Sequence, residues 1–193
     1  LDPSSLTRNE ARVFNDAQDL AQAGDFAGAV EMMAPLLETR PNHPMVITAL
    51  CQFRARLEIE DDATLRLCAR ATAASPDDPV PALYLAHLHV ERGEIRSAME
   101  ATTRVERILA GIEEPPSSSY LMLASLYQRS GAVTRAEAAA TRAGGHEAAR
   151  DILDWARKLR RTWGLPRGAI SGDIEYLVAE KLREFDQHLA DDQ

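Results

Sequence analysis

Three times in this chain a glycine that ends an apolar helical stripe is followed five residues later by an alanine inside the next one. That recurrence constrains the fold more than any other feature. The clearest copy spans residues 120–143, YLMLASLYQRSGAVTRAEAAATRA. Tyr120, Leu123, Ala124 and Tyr127 fall at i, i+3, i+4 and i+7 and line one side of a helix. Ser130-Gly131 breaks it, and Val133, Ala136, Ala140 and Ala143 form a second stripe of small residues. Small side chains permit close helix approach, so the stretch reads as an antiparallel helix pair. The signal returns as RGEIRSAMEA at 92–101 and AGDFAGAVEM at 23–32. Gly24 and Gly93 are 69 residues apart, and Gly93 and Gly131 are 38 apart. The loop GIEEPPSSS at 111–119 absorbs the excess in the second interval.

With a period near 34 residues, the array resembles the tetratricopeptide-repeat (TPR) family over residues 10–144, in units at about 10–43, 44–77, 79–111 and 116–144. In the first unit Val13, Ala17, Leu20, Gly24, Phe26, Ala29, Leu36 and Pro41 match the family pattern, and Asp16 departs from it. The third offers Ala82, Leu85, Ala86, Gly93, Ile95, Ala98 and Val105, with His89 where an aromatic is usual. The second fits at Ile47, Leu50, Cys51, Ala71 and Pro76, but it lacks the turn glycine and places Arg54 at an expected core site. The resemblance implies an all-α, right-handed superhelical solenoid of about four helix pairs.

The boundary signals agree. Thr7-Arg8-Asn9-Glu10 has the form of a capping box, predicting a helix from there to about Ala23. Residues 1–9 are its lead-in. Asp25 and either Asp61 or Asp62 are candidate caps for the second helices of their pairs, and Pro41, Pro76 and Pro79 punctuate the turns. After Gly144-Gly145 the repetition stops. Residues 147–163 carry Ile152, Trp155, Ala156, Leu159 and Trp163 on one face. A further stripe of Ile174, Leu177, Val178, Leu182, Phe185 and Leu189 predicts a partner helix at about 173–190. Because the last unit of a solenoid needs a cover with a polar outer face, residues 145–193 read as a C-terminal capping pair. The same amphipathic pair also offers a surface for homodimerisation.

Composition excludes several classes of function. Aromatics make up only 5% of the 193 residues, which suits helices packed through Ala and Leu. A formal net charge of −8 argues against general affinity for nucleic acid or acidic membranes, which depends on Lys and Arg. No apolar run reaches the length of a membrane span. Of the 22 basic residues only Lys158 and Lys181 are lysine, a bias associated with GC-rich bacterial genomes. The chain begins LDPSSL, as either a processed precursor or an excised domain would. Cytoplasm and periplasm both remain open.

No catalytic, metal or cofactor site emerges. His87 and His89 are two apart and point to nearly opposite sides of a helix, so they do not chelate as an i, i+4 pair would. There is no P-loop, no G-x-S-x-G and no H-E-x-x-H. Cys51 and Cys68 fall on the two helices of the second unit and read either as buried thiols or as a disulfide between them. The basic run Arg157, Lys158, Arg160 and Arg161, with Arg167, is either a solvated helix terminus paired with the acidic last helix or a patch for an acidic partner.

In an array of this kind the first helix of each pair lines the concave side. The register places Phe14, Gln18 and Gln22, then Thr48, Gln52 and Arg56, then Leu83, His87 and Glu91, and finally Leu121, Ser125, Gln128 and Arg129 in that groove. Amides and hydroxyls there can satisfy the backbone of a partner segment, while Phe14, Leu83 and Leu121 offer apolar contacts. The resemblance also implies a carboxylate clamp of Lys, Arg and Asn in chaperone-binding members. Here only Arg56 and Arg129 stand in the groove, which disfavours chaperone tails. The expectation is a non-catalytic scaffold for a protein or peptide partner. The competing readings are a secretion-type chaperone and a regulatory domain cut from a larger enzyme.

Overall fold

The computed structural model describes residues 6–163. Arg167 and the helix expected at 173–190 lie outside the described residues, as does the side chain of Trp163. All regular structure in the described residues is helical: α1 (Arg8–Gln22), α2 (Phe26–Thr39), α3 (Pro44–Arg56), α4 (Asp62–Ala74), α5 (Pro79–Glu91), α6 (Ile95–Ala110), α7 (Ser117–Arg129), α8 (Val133–Ala143) and α9 (Glu147–Trp163). None of these helices is long and apolar enough to cross a membrane.

The starts of the helices follow from local chemistry. Thr7 Oγ1 accepts the Glu10 amide at 3.3 Å, and Glu10 Oε2 accepts the Thr7 amide at 2.7 Å, closing the capping box of α1. The same carboxylate receives two hydrogen bonds from Arg40 at 2.9 and 3.1 Å, tying the start of α1 to the end of α2. These bonds, Arg40 foremost and Thr7 next, lower the Glu10 pKa to about 2. Asp25 caps α2 through Gly28, and Asp61 rather than Asp62 caps α4 through Thr64. The α7 helix starts at Ser117, two residues before the start at Ser119 that its apolar stripe predicts.

Among the described residues one turn occurs four times. Gly24, Gly93 and Gly131 have φ of 88°, 69° and 77°, in the left-handed region where a Cβ is costly. The next residue in each case donates its amide to the carbonyl five positions back: Asp25 to Leu20, Glu94 to His89, and Ala132 to Tyr127. The second unit makes the same turn without glycine. Glu58 takes φ 57° there, and Ile59 donates to Arg54 at 3.1 Å. The missing glycine is therefore a change of residue and not of backbone. What does change is the connection, since five residues separate α3 from α4 where three separate α1 from α2.

Seven positions before each turn residue stands a fully buried small side chain: Ala17, Cys51, Ala86 and Ala124 are each 0% exposed. On the second helices the matching buried triads are Ala29, Met33 and Leu36, then Ala98, Thr102 and Val105, then Ala136, Ala140 and Ala143. In α4 the triad is Thr64, Cys68 and Ala71, displaced by one position from the glycine-to-alanine spacing seen elsewhere. Cys51 and Cys68 face each other across α3 and α4 and form a disulfide, with Cα atoms 4.9 Å apart.

Arg54 is also reconciled with its core position. Its Nε donates to the Thr64 hydroxyl at 2.8 Å and its Nη2 to Asp61 at 3.0 Å, so its guanidinium is balanced by the cap of α4. The Thr64 and Arg54 bonds hold the Asp61 carboxyl below the usual aspartate range, those to Thr64 being the larger cause.

The chain divides into two compact units at Leu88 and His89. In the first, Met33, Val46, Ile47, Phe53 and Leu88 form the core, and α3 packs on both α2 and α4. In the second, Val105, Leu109, Leu123 and Tyr127 are buried, and α9 lies against α8 and α7. Ala149, Ile152 and Ala156 of α9 are buried while Trp155 is half-buried.

Candidate functional site

The groove residues expected from sequence separate into classes. Gln18, Gln52, His87 and Ser125 stand six positions before their turn residues, and all four are half-buried. The positions four residues later, Gln22, Arg56 and Arg129, are exposed, with Glu91 half-buried. Those four residues earlier turn inward to varying degrees: Leu83 is 3% exposed and belongs to the core, Phe14 is 9% exposed, and Thr48 and Leu121 are half-buried. Gln128 is half-buried as well. Leu83 is thus not an apolar contact of an open groove, because the α5 stripe that reaches the core includes it together with Ala82 and Ala86.

In the first unit, Phe14, Gln18, Thr48 and Gln52 do converge. They line a cleft of about 210 Å³ between α1 and α3, closed at one end by Ser75 and Asp78 from the turn before α5. Met45, 53% exposed, stands on its wall. Asp78 is fixed by accepting the Val80 amide at 2.9 Å. The Thr48 hydroxyl oxygen is shielded and has no hydrogen-bond partner among the described residues, so it does not offer the polar contact that its position in the sequence predicts. The polar surface of the cleft comes instead from Gln18, Gln52 and Asp78.

Beside it, Gln52 hydrogen-bonds the Tyr84 hydroxyl, and the Arg56 guanidinium lies 5.1 Å from the centre of the Phe26 ring. Burial raises the Tyr84 pKa, and Arg56 and Gln52 partly oppose the shift. Met45, Asp78 and Tyr84 are the members that sequence reasoning missed. Tyr84 follows Leu83 directly, so the 100° step of a helix exchanges which of the two reaches Gln52. Asp78 belongs to the turn SPDDP, a signal that marks a boundary without showing what it faces.

In the second unit, Arg129 is ion-paired with Glu91. The basic run on α9 separates into different fates. Arg160 donates to Glu137 at 3.0 Å and to Thr134 at 2.8 Å, fastening α9 to α8, and Arg157 pairs with Asp154 one turn back. Lys158 and Arg161 are exposed. Among the described residues no group of three or more His, Cys, Asp or Glu side chains is placed to hold a metal ion.

Helices joined by a recurring left-handed turn, with a small buried residue at a fixed offset before it, can be set against known structures. The fold is TPR-like. A thermophilic TPR protein of Thermus thermophilus, TTC0263, superimposes with a TM-score of 0.62 at 17% identity, over 88% of this chain and 97% of that one. Two crystal structures of MamA match with TM-scores of 0.58 and 0.59 at 14% and 16% identity, each over 89% of this chain and over 96% and 91% of theirs. No family model matches the sequence, and no curated protein matches it. At such identities the TPR likeness lies in backbone and helix packing, which is where the turn and the small-residue offsets also lie.

Proposed function

We propose that this chain is a non-catalytic scaffold that holds an extended segment of a protein partner in the cleft between α1 and α3. The observation that supports this reading is the cleft's mixed lining. An exposed methionine and the edge of a phenylalanine provide adaptable apolar contact, while Gln18 and Gln52 present amides suited to a peptide backbone. The apolar contacts favour a partner side chain seated against Phe14 and Met45, and Asp78 favours a basic residue or a free backbone amide at that end.

The Cys51–Cys68 bridge supports an oxidising compartment, the periplasm of the two alternatives above, because structural disulfides persist there and are rare in the cytosol.

The test is affinity capture from a lysate of the source organism, comparing the native chain with a Gln18→Glu, Met45→Asp, Gln52→Glu variant. A defined partner that disappears with the variant while helicity is kept supports the cleft as its site. A partner set that is unchanged moves the function elsewhere.

A further inference from the structure

A second surface of the first unit has a different chemistry. Along α2, Val30, Ala34 and Leu37 fall at i, i+4 and i+7 and form a stripe that its own hairpin leaves partly exposed. Opposite it runs α4, and between them Leu50 and Leu67 make the floor of a trough of about 380 Å³. The trough is distinct from the cleft described above. On α3 the cleft takes Thr48 and Gln52 whereas the trough takes Leu50 and Arg54, and at 100° per residue the two pairs lie on opposite faces of the helix.

The charged residues lining this trough are all arginines: Arg54, Arg66 and Arg70, with no carboxylate among them, in a chain whose net charge is −8. Arg54 is committed to Asp61 and Thr64. Arg66 is exposed and has no partner among the described residues, and Arg70 is anchored through Nη2 alone to the Pro41 carbonyl and, at 3.0 Å, to the Asn42 side chain. Arg66 and Arg70 are one helical turn apart, separated by about 6 Å along the axis of α4. Carboxylates four residues apart on a facing helix have the same spacing.

We infer that this trough docks an acidic amphipathic helix of a partner protein. The partner's apolar residues at i, i+4 and i+7 lie along Val30, Ala34 and Leu37, and its paired carboxylates meet Arg66 and Arg70. A helix fits better than a compact anion, since the apolar stripe extends over two turns of α2 and the guanidinium groups are spread along its length. The helix would complete the layer that α2 and α4 begin, as ridges on one helix pack into the grooves of its neighbours.

The probe is an acetylated peptide with Leu at i, i+4 and i+7 and Glu at i+1 and i+5, followed by fluorescence anisotropy against the full chain. Saturable binding is expected, weakening as salt is raised. Arg66→Glu alone should weaken it several-fold, Arg66→Glu with Arg70→Glu by at least about tenfold, and Ala34→Gln, which sets a longer neutral polar side chain on the apolar stripe at an exposed position, should weaken it without changing any charge. Gln52→Glu, on the opposite face of α3, should leave it unchanged, which separates this surface from the cleft. A Lys-for-Glu peptide should not bind. Absence of saturable binding, equal binding of the two peptides, or insensitivity to both the Arg66 and Ala34 variants overturns the inference. Displacement of the peptide by a medium-chain fatty acid at micromolar concentration would also overturn it, assigning the trough to a small amphipathic carboxylate.

Discussion

The second and fourth helix pairs reach the same backbone geometry by different chemistry. In α7 and α8 the turn residue is Gly131, the buried small positions facing the turn are Ala124 and Ala140, and the N-cap of α8, Ala132, offers no side-chain cap. In α3 and α4 the turn residue is Glu58, the equivalent positions are bridged by Cys51 and Cys68, and the N-cap of α4, Asp61, accepts from the Thr64 amide and hydroxyl and from Arg54. One pair follows the family pattern and needs little else. The other lacks the turn glycine and places Arg54 at a core site, and it carries a covalent bond and a buried threonine beside them. A repeat motif therefore specifies a set of geometric requirements, and glycine and alanine are the simplest but not the sole residues that meet them.

The largest test of this contrast is removal of the bridge. A Cys51→Ala, Cys68→Ala variant gives the second pair the alanines of the fourth, and for a closed loop of this size it should cost about 3 kcal/mol, read as a lower denaturation midpoint. A reductant should lower the midpoint of the native chain and leave that of the variant in place. If the variant matches the oxidised protein in stability, the alanines alone suffice and the bridge is not a compensation.

The converse substitution acts on the fourth pair. Ala136 is fully buried, so Ala136→Leu should overpack α7 against α8 and destabilise by about 1–3 kcal/mol. An unshifted thermal midpoint would show that this approach is looser than its burial implies.

Exchanging the turn residues comes next. Glu58→Gly relieves a left-handed side-chain conformation and should stabilise by about 1 kcal/mol, whereas Gly131→Ala should destabilise by a similar amount. Two changes of the same sign in chemical denaturation would mean that the turns are not equivalent.

The smallest effect is in acid. The folded-state pKa of Asp61 is depressed, so its contribution is present above the ordinary aspartate pKa and is lost as pH falls through the lower folded value. Amides at the start of α4 should therefore lose hydrogen-exchange protection at low pH more than those at the start of α8, where Ala132 has nothing to titrate. Asp61→Asn should remove that difference; persistence of the difference would assign it to another group.

This contrast also explains what was legible in the sequence. Glycines in the left-handed region announce themselves, as do buried alanines at fixed offsets, so the first, third and fourth turns could be read directly. Glu58 could not, because its residue type carries no preference for the left-handed region. Thr64 was hidden by the longer connection, which moves the buried position by one residue. In the candidate cleft, helical periodicity placed Gln18 and Gln52 on the face that lines it but could not distinguish Leu83 from Tyr84, which are neighbours on the chain and diverge only when the depth of the core is known. Nor does periodicity say which way a hydroxyl points, which is why Thr48 contributes less polarity than its residue type suggests.

The bridge between Cys51 and Cys68 lies inside one hairpin, linking positions 17 apart in the sequence and no others. Under tension applied through the chain ends, this hairpin cannot be drawn out to its full contour. About 50 Å of extension is withheld until the bond is reduced. Single-molecule stretching with and without reductant would thus read the oxidation state of the protein as a difference in length.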